Sequence, residues 1–265
     1  MKDQILKNLT ESCPWQDSVL YFDSIDSTNT RAKELAAQGA PHGTVLIADH
    51  QTGGRGRLGR SFLSPAGTGV YLSVILRPGC APGQLMHLTC AAAVAMCDAV
   101  EEAARFRPGI KWTNDLVYKN RKIAGILTEL RIGPKGLVDY AVVGIGINCC
   151  QQEEDFPPDL RNMAGSLAMV SGKVVDQSEV AAAMIRALHE MDRNLTDKAG
   201  FMDRYRRDCI TVGREISLLK ADGSVRHGTA LSVDDEGALV VRFRDGTTEA
   251  VSSGEVSVRG MYGYL

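Results

Sequence analysis

The chain has little unbroken hydrophobicity. Its most apolar run, Leu88 to Cys97, is about ten residues long and is closed by Asp98, Glu101 and Glu102, whereas a bilayer span needs roughly 20. The first residues, MKDQILKNLTESCPW, lack the apolar core of a signal peptide. Paired cysteines are missing too. The seven cysteines are odd in number, contain no CxxC and include the adjacent Cys149 and Cys150, which excludes a disulfide framework and a zinc site and reads as reduced thiols. Five histidines show no HExxH or similar spacing, so no protein-ligated transition metal is expected. Nor is there an excess of charge of one sign: 30 Lys and Arg stand against 32 Asp and Glu. Nucleic acid or an anionic membrane would then not be bound through bulk charge, and any anion must be met by a local cluster. A cytoplasmic protein with no membrane and no nucleic-acid partner is expected.

What is present is an ordinary globular composition, 44% apolar and 23% charged over 265 residues, enough for a sizeable core. The patterning predicts strands at 19–25, 43–51 and 69–78, and a helix over 26–39 with Ser27 or Thr28 near its N-cap and Gly39 as its stop. An Ala-rich helix is expected over 82–106. The stretches IKWTN, DLVYKNRK, KIAGILTELRI and LVDYAVVGIGIN read as strands, the last two joined by a turn at Gly133–Gly136. Asp155 to Asp159 reads as a loop, and helices follow over 176–195 and 198–208. From about 212, short β runs alternate with Asp-Gly and Glu-Gly turns, which suggests a small barrel. The fold class is α+β, a mixed sheet with helices over residues 1–209 followed by a small β-barrel over 210–265.

The sharpest local feature is GGRGRLGRS, residues 53–61, which contains GxGxxG at Gly54, Gly56 and Gly59. A dinucleotide fingerprint needs a helix to open at its last glycines. Here Pro65, Gly67 and Gly69 forbid one, and no Lys-Ser/Thr follows as in a P-loop. A solvated surface loop is the plain alternative, but four glycines and three arginines in nine residues weaken it. Glycine lets backbone approach a ligand, and Arg55, Arg57 and Arg60 supply forked donors for carboxylate or phosphate. Neither aromatic interleaving nor a basic helix accompanies them, which argues against nucleic acid.

Other stretches join this one in a fixed order: Ser27-Thr28-Asn29, Gln51 with Gly54-Arg55-Gly56-Arg57, Lys111-Trp112 with Asn114-Asp115, Arg121 to Ile126, and Gly144-Ile145-Gly146-Ile147-Asn148. Together they resemble the biotin protein ligase family, and GEVSVRG near the end resembles that family's C-terminal module. The resemblance runs from about residue 20 to residue 260. It implies a catalytic domain of the class II aminoacyl-tRNA-synthetase/biotin-ligase type, followed by an SH3-like barrel. It also implies an enzyme that joins biotin to ATP as biotinyl-5′-AMP and passes biotin to a lysine of a carboxyl carrier protein. By the resemblance, Ser27, Thr28, Asn29, Gln51, Gly54, Arg55, Gly56, Arg57, Lys122, Gly125, Gly144 and Gly146 form the biotin site, the glycines leaving room for the bicycle and its chain. Arg57, Arg60, Phe62, Lys111, Asn114, Asn148 and Arg259 belong with the nucleotide, and Phe62 is expected near the adenine. Lys122, Arg55, Arg57 and Asp115 are the catalytic candidates. Mg²⁺ enters with ATP, Asp115 being a possible contact, with no dedicated protein cage.

Two positions depart from the family's pattern: Thr113 where proline is common, and Phe62 where tryptophan is common. About 20 residues precede the first family-like strand, too few for a helix-turn-helix unit, so a ligase without DNA binding is expected. A lipoate or octanoate ligase or transferase of the same fold is the nearest alternative, and a non-catalytic biotin sensor is a further one. Monomer and homodimer both stay open.

Overall fold

Runs of β-branched residues, cut by glycine and asparagine turns, assemble into two sheets. The computed structural model describes residues 1–9, 13–220 and 223–252, and the backbone of 256–260. The first part of the chain runs α1 (Lys2–Asn8), β1 (Val19–Ile25), α2 (Thr28–Ala37), β2 (Thr44–Gln51), β3 (Gly69–Leu76), α3 (Leu88–Ala104), β4 (Gly109–Lys111), β5 (Asp115–Tyr118), β6 (Arg121–Ile132) and β7 (Val138–Asn148). It continues through α4 (Leu167–Ser171), α5 (Gln177–Arg193) and α6 (Lys198–Asp208). The last part is β8 (Glu215–Lys220), β9 (Val225–Val233), β10 (Leu239–Phe243), β11 (Thr248–Val251) and β12 (Val256–Gly260).

The larger sheet has the order β1-β2-β3-β7-β6-β5-β4. Strands β1 and β2 are parallel because α2 carries the chain back across the sheet between them. The other pairs are antiparallel. Alternation of side chains sorts β2 and β3 into two faces. Val45, Ile47, Leu72, Val74 and Leu76 enter the main core with α3 and α5, while Leu46 and Ile75 meet Ala32 and Ala36 of α2 on the opposite face. The 23 residues from Pro82 to Ala104 are long and apolar enough in composition to cross a bilayer. Here α3 is buried nearly all round between the sheet, α5 and α6, which is where a helix apolar on every side belongs in a globular domain.

The expected elements are present with shifted ends. The Ala-rich helix begins with a separate 3₁₀ turn at Pro82–Leu85 and stops at Ala104, where Arg105 turns left-handed (φ 62°). Expectation assigned no element to residues 1–18, yet α1 packs on α5 and buries Ile5 completely. DLVYKNRK is not one strand. Lys119 and Asn120 have φ of 49° and 61° and form a two-residue hairpin between β5 and β6, with Tyr118 opposite Arg121. Positive φ at both central residues gives the twist that matches the flanking strands, and asparagine tolerates it. The peptide bond between Trp112 and Thr113 is cis.

The second sheet is antiparallel with the order β11-β10-β9-β8-β12, the strands of an SH3-like module. It is tied to the first part of the chain by specific bonds. The Trp112 indole N–H donates to the Gly237 carbonyl at 2.9 Å, Arg206 Nε donates to the Val233 carbonyl at 2.7 Å, and Lys198 pairs with Glu236.

The β5–β6 turn sets the register that follows, including that of Lys122. Asn120→Val, which cannot adopt a left-handed φ without strain, is expected to cost about 1–2 kcal/mol in urea unfolding, while Asn120→Gly costs nothing. Equal stability of the two variants would refute this account of the turn.

Candidate active site

A cavity of about 380 Å³ opens on the α2 face of the larger sheet. Its floor is made by β6 and β7, where Gly125 pairs with Gly146 and Leu127 with Gly144. One wall is the start of α2 with Ser27, Thr28 and Asn29, another is the Gly-Arg loop, and a third is the β4–β5 connection with Lys111, Asn114 and Asp115. Every site residue expected from the sequence lines this cavity, apart from Gly54 and Arg259. Gly54 lies just behind the loop, where a Cβ would overlap the Phe62 carbonyl and press on Ser64 Oγ. Arg259 falls in β12, opposite Ser217, and its side chain lies outside the described residues.

The Gly-Arg loop is a folded-back ribbon rather than a helix opening. Phe62 N–H donates to the Gly54 carbonyl at 2.9 Å and Gly56 N–H to the Arg60 carbonyl at 2.7 Å. Arg57 reaches inward, and its Nη1 donates to Asn114 Oδ1 at 2.9 Å. Burial pushes the Arg57 guanidinium below its usual pKa, with Asp115 opposing that shift and Arg60 adding to it. Lys122 sits at the start of β6 with its Nζ 2.6 Å from Asp115 Oδ1, and Lys111 is 6% exposed beside them. This end of the cavity thus gathers Arg57, Arg60, Lys111 and Lys122 around the carboxylate of Asp115. In a chain with a net charge of −2, that concentration of positive charge marks an anion site.

The other end is a hydrogen-bonded network. Gln51 Oε1 accepts from the Thr28 backbone N–H at 2.8 Å and lies 3.1 Å from Thr28 Oγ1, while Gln51 Nε2 donates to Ser64 Oγ at 2.9 Å. Ser73 Oγ lies 2.8 Å from Thr28 Oγ1 and 2.6 Å from Asn29 Oδ1. Asn29 Nδ2 donates to Glu129 Oε2 at 2.9 Å and to the Leu127 carbonyl at 3.2 Å, and Lys33 Nζ donates to Glu129 Oε1 at 2.7 Å. Burial pushes the Glu129 carboxyl up, but the bonds from Lys33 and Asn29 together outweigh it and hold it below the usual range. Ser27 caps α2, its Oγ accepting from Thr30 N–H.

Three contacts go beyond what the sequence shows. Both Asn29 donors are used inside the protein, so this side chain braces the floor. Gly144 makes room for Asn29, since a Cβ there would overlap its Oδ1. Phe62 lies against Gly125 and Gly146, the positions expected to face biotin, and meets Tyr71 edge-on at 6.4 Å. It does not stand apart with the nucleotide residues.

Sequence reasoning also passed over two groups. Ser73 and Glu129 were hidden because β3 and β6 read simply as strands, and Lys33 because α2 read simply as a helix; a serine in an otherwise apolar strand was the available signal. The segment between β7 and α4, of which only Asp155 to Asp159 was read as a loop, supplies Phe156, Leu160 and Met163 to the cavity. It is strapped to β6, because Lys122 N–H donates to the Met163 carbonyl at 2.7 Å and Gly165 N–H to the Lys122 carbonyl at 2.9 Å.

A mixed sheet with a cavity that is cationic at one end and hydrogen-bonding at the other defines a protein built to hold a small anionic ligand that also carries neutral polar groups. Comparison with known proteins agrees. Residues 21–148 match the profile of the Biotin/lipoate A/B protein ligase family, and residues 211–259 match the Biotin protein ligase C terminal domain. The bifunctional ligase/repressor BirA of Bacillus subtilis is 35% identical over 240 residues, covering 89% of this chain and 72% of that protein. The biotin–[acetyl-CoA-carboxylase] ligase of Mycobacterium tuberculosis is 34% identical, covering 87% and 85%. Among solved structures, the biotin protein ligase of Aquifex aeolicus in complex with biotin and ATP superposes with a TM-score of 0.77 at 30% identity, covering 91% of this chain and 98% of that one. The chain belongs to the biotin protein ligase family.

Gly144→Ala is expected to cost about 1–3 kcal/mol in chemical unfolding by overpacking, and Asn29→Ala in the same chain should recover most of it. Additive losses in that double-mutant cycle would show that the two residues do not share the space. Glu129, whose folded pKa is depressed, contributes stability that is present above its unfolded value of about 4.3 and is lost as pH falls through the folded value. The stability gap between wild type and Glu129→Gln should therefore be full at neutral pH and close below about pH 4. A gap constant with pH would disprove the assignment.

Proposed function

We propose that this member of the biotin protein ligase family joins biotin and ATP in the cavity through the residues just described, and then biotinylates a lysine of a carboxyl carrier protein. The observation that carries this reading is the two-ended cavity, with the Thr28–Gln51 oxygens at one end and the Arg57–Lys122–Asp115 cluster at the other. A ureido ring fits the first end, where Thr28, Gln51 and Ser27 meet its N–H and carbonyl groups and Asn29 braces them. A carboxylate and a triphosphate need the second.

In the first step a carboxylate oxygen of biotin attacks the α-phosphorus of ATP, the P–O bond to the leaving group breaks, and pyrophosphate departs. Both reactants are anions, so their approach is repulsive unless cations neutralise them. Lys122 is assigned to the carboxylate and the bridging oxygen that forms, an assignment supported by its ion pair with Asp115 at the cationic end of the cavity. Arg57 and Arg55 share that charge from the loop, with Gly54 and Gly56 giving the loop backbone its close approach. Arg60, Lys111, Asn114 and Asn148 are assigned to the nucleotide, with Phe62 between the two substrates over Gly125 and Gly146. Mg²⁺ supplies further charge neutralisation when it enters with ATP, Asp115 being the carboxylate at hand. In the second step the free amine of the carrier lysine attacks the anhydride carbonyl, AMP leaves, and the amine gives up a proton. Asp115 is the group positioned to take it. Closure of the Gly-Arg loop would shield the anhydride from water.

Residues 1–209 are proposed as the catalytic domain and 210–265 as the C-terminal domain, a division supported by the chain's passage from α6 to β8 between the two sheets. A cytoplasmic location is supported by seven cysteines that are all free thiols.

The test is exchange of labelled pyrophosphate into ATP. Exchange should require biotin, ignore lipoate, and fall by about 10²–10³ in Lys122→Ala, as for removal of one donor to developing charge. Exchange driven by lipoate or octanoate, with none from biotin, would replace this reading with a lipoyl ligase.

A further inference from the structure

We infer that Arg121 is a positioning residue for the nucleotide. It is the peg around which the strap between β7 and α4 is wound, and the strap in turn forms the apolar wall next to Lys122 and Asn148. The inference rests on the reading that ATP occupies this end of the cavity.

Residues 150–165 leave β7 and come back almost to where they started. Asn148 Nδ2 donates to the Gly165 carbonyl at 3.0 Å, Ser166 Oγ to the Gln151 carbonyl at 2.7 Å, and Ala168 N–H to the Cys149 carbonyl at 2.9 Å. A loop closed at its neck in this way is compact only when side chains fill it. The regular structure inside it is a 3₁₀ turn at Glu153–Asp155. Arg121, the first residue of β6, is inserted from outside. Its Nη1 donates to the Arg161 carbonyl at 2.5 Å and to the Ala164 carbonyl at 3.0 Å, and its Nη2 donates to Glu153 Oε2 at 3.0 Å. One planar fork thus joins the first turn of the strap to its last residues, which a point charge such as an ammonium does not reproduce. Gly165 lets the strap come down on the stem of the arginine, since a Cβ there would stand 2.9 Å from Arg121 Cβ. Arg161 carries the bracing onward, its Nε donating to the Phe156 carbonyl at 3.0 Å.

The strap presents Phe156, Leu160, Met163 and Ala164 to the cavity. Its attachments to the site are the Lys122 backbone and the Asn148 amide. Both sit at the end of the cavity assigned to ATP. The Thr28–Gln51 end is built instead from α2 and β2. Release of the strap from Arg121 would therefore loosen the wall of one substrate and leave that of the other in place. Ordering a loop on binding costs free energy that a preorganised loop does not. Without Arg121, part of the ATP binding energy goes into re-forming the wall, and affinity for ATP falls. Once ATP is bound the wall is back in place, Lys122 is still held by Asp115, and the chemical step proceeds as before. A loss of that kind raises KM and spares kcat.

The test is steady-state pyrophosphate exchange, with biotin and ATP varied in turn, in wild type, Arg121→Met, Arg121→Lys and Gly165→Ala. Hydrogen exchange of the amides of 150–165 is followed in the same proteins. KM for ATP should rise about tenfold or more in Arg121→Met, while KM for biotin and kcat stay within about twofold of wild type. Arg121→Lys, which keeps the charge but not the fork, should fail to restore the wild-type KM. Gly165→Ala leaves Arg121 intact but pushes the strap off its stem, and should show the same split; it decides the matter if Arg121→Met does not fold. In each variant the strap amides should exchange about tenfold faster than in wild type without ligand, and recover protection with biotin and ATP. Equal rises in KM for biotin and ATP, or a fall in kcat, would mean that Arg121 is merely structural and would overturn the inference. Unchanged KM for ATP in all variants would also overturn it while leaving the ligase reading intact. Failure of wild type to exchange with biotin would remove the ligase reading itself.

Discussion

Three glycines on two adjacent antiparallel strands, Gly144 and Gly146 on β7 and Gly125 on β6, leave a strip of the sheet without side chains, and the site is organised around that strip. Asn29 can reach across to Glu129 only because nothing projects from Gly144, and the Phe62 ring can lie on the sheet only because nothing projects from Gly146. Lys122 closes over the third position, with its Nζ 3.3 Å from where a Gly125 Cβ would stand. Glycine in a strand forfeits packing and costs backbone entropy. In this sheet the loss is offset by side chains that arrive from α2, from the Gly-Arg loop and from the strand end.

The second organising force is electrostatic. The chain as a whole is nearly neutral, yet four cationic side chains from three separate elements converge on one end of the cavity. Left alone they would repel one another and resist burial, as the lowered pKa of Arg57 shows. Asp115 holds part of that charge in place through its ion pair with Lys122.

The second sheet and the strap between β7 and α4 act on the same elements from outside. Trp112 sits between Lys111 and Asn114, and its indole is anchored to Gly237 while Tyr205 Oη donates to the Thr113 carbonyl at 3.0 Å. The strap pairs with the backbone of Lys122 on both sides. Two of the charged groups are thus fixed by parts of the chain distant in sequence.

The sequence by itself determined the class of fold, the family and most of the polar residues that line the cavity. Those properties reside in local strings such as GGRGRLGRS and KWTND, in strand alternation, and in the turns at 133–136 and beyond residue 212. What each residue does toward its neighbours was decided only in three dimensions. That Asn29 uses both of its N–H groups on Leu127 and Glu129, 98 and 100 residues away, shows only in the folded chain. That the same asparagine stands over Gly144 is likewise visible only there. Ser73 and Lys33 carried no sign of a role at all, because a lone serine in a strand and a lysine on a helix face are ordinary. The physical reason is common to all of them. Hydrogen-bond saturation and steric occupancy belong to pairs of residues brought together by sheet register, and register between distant strands is not written in any one segment.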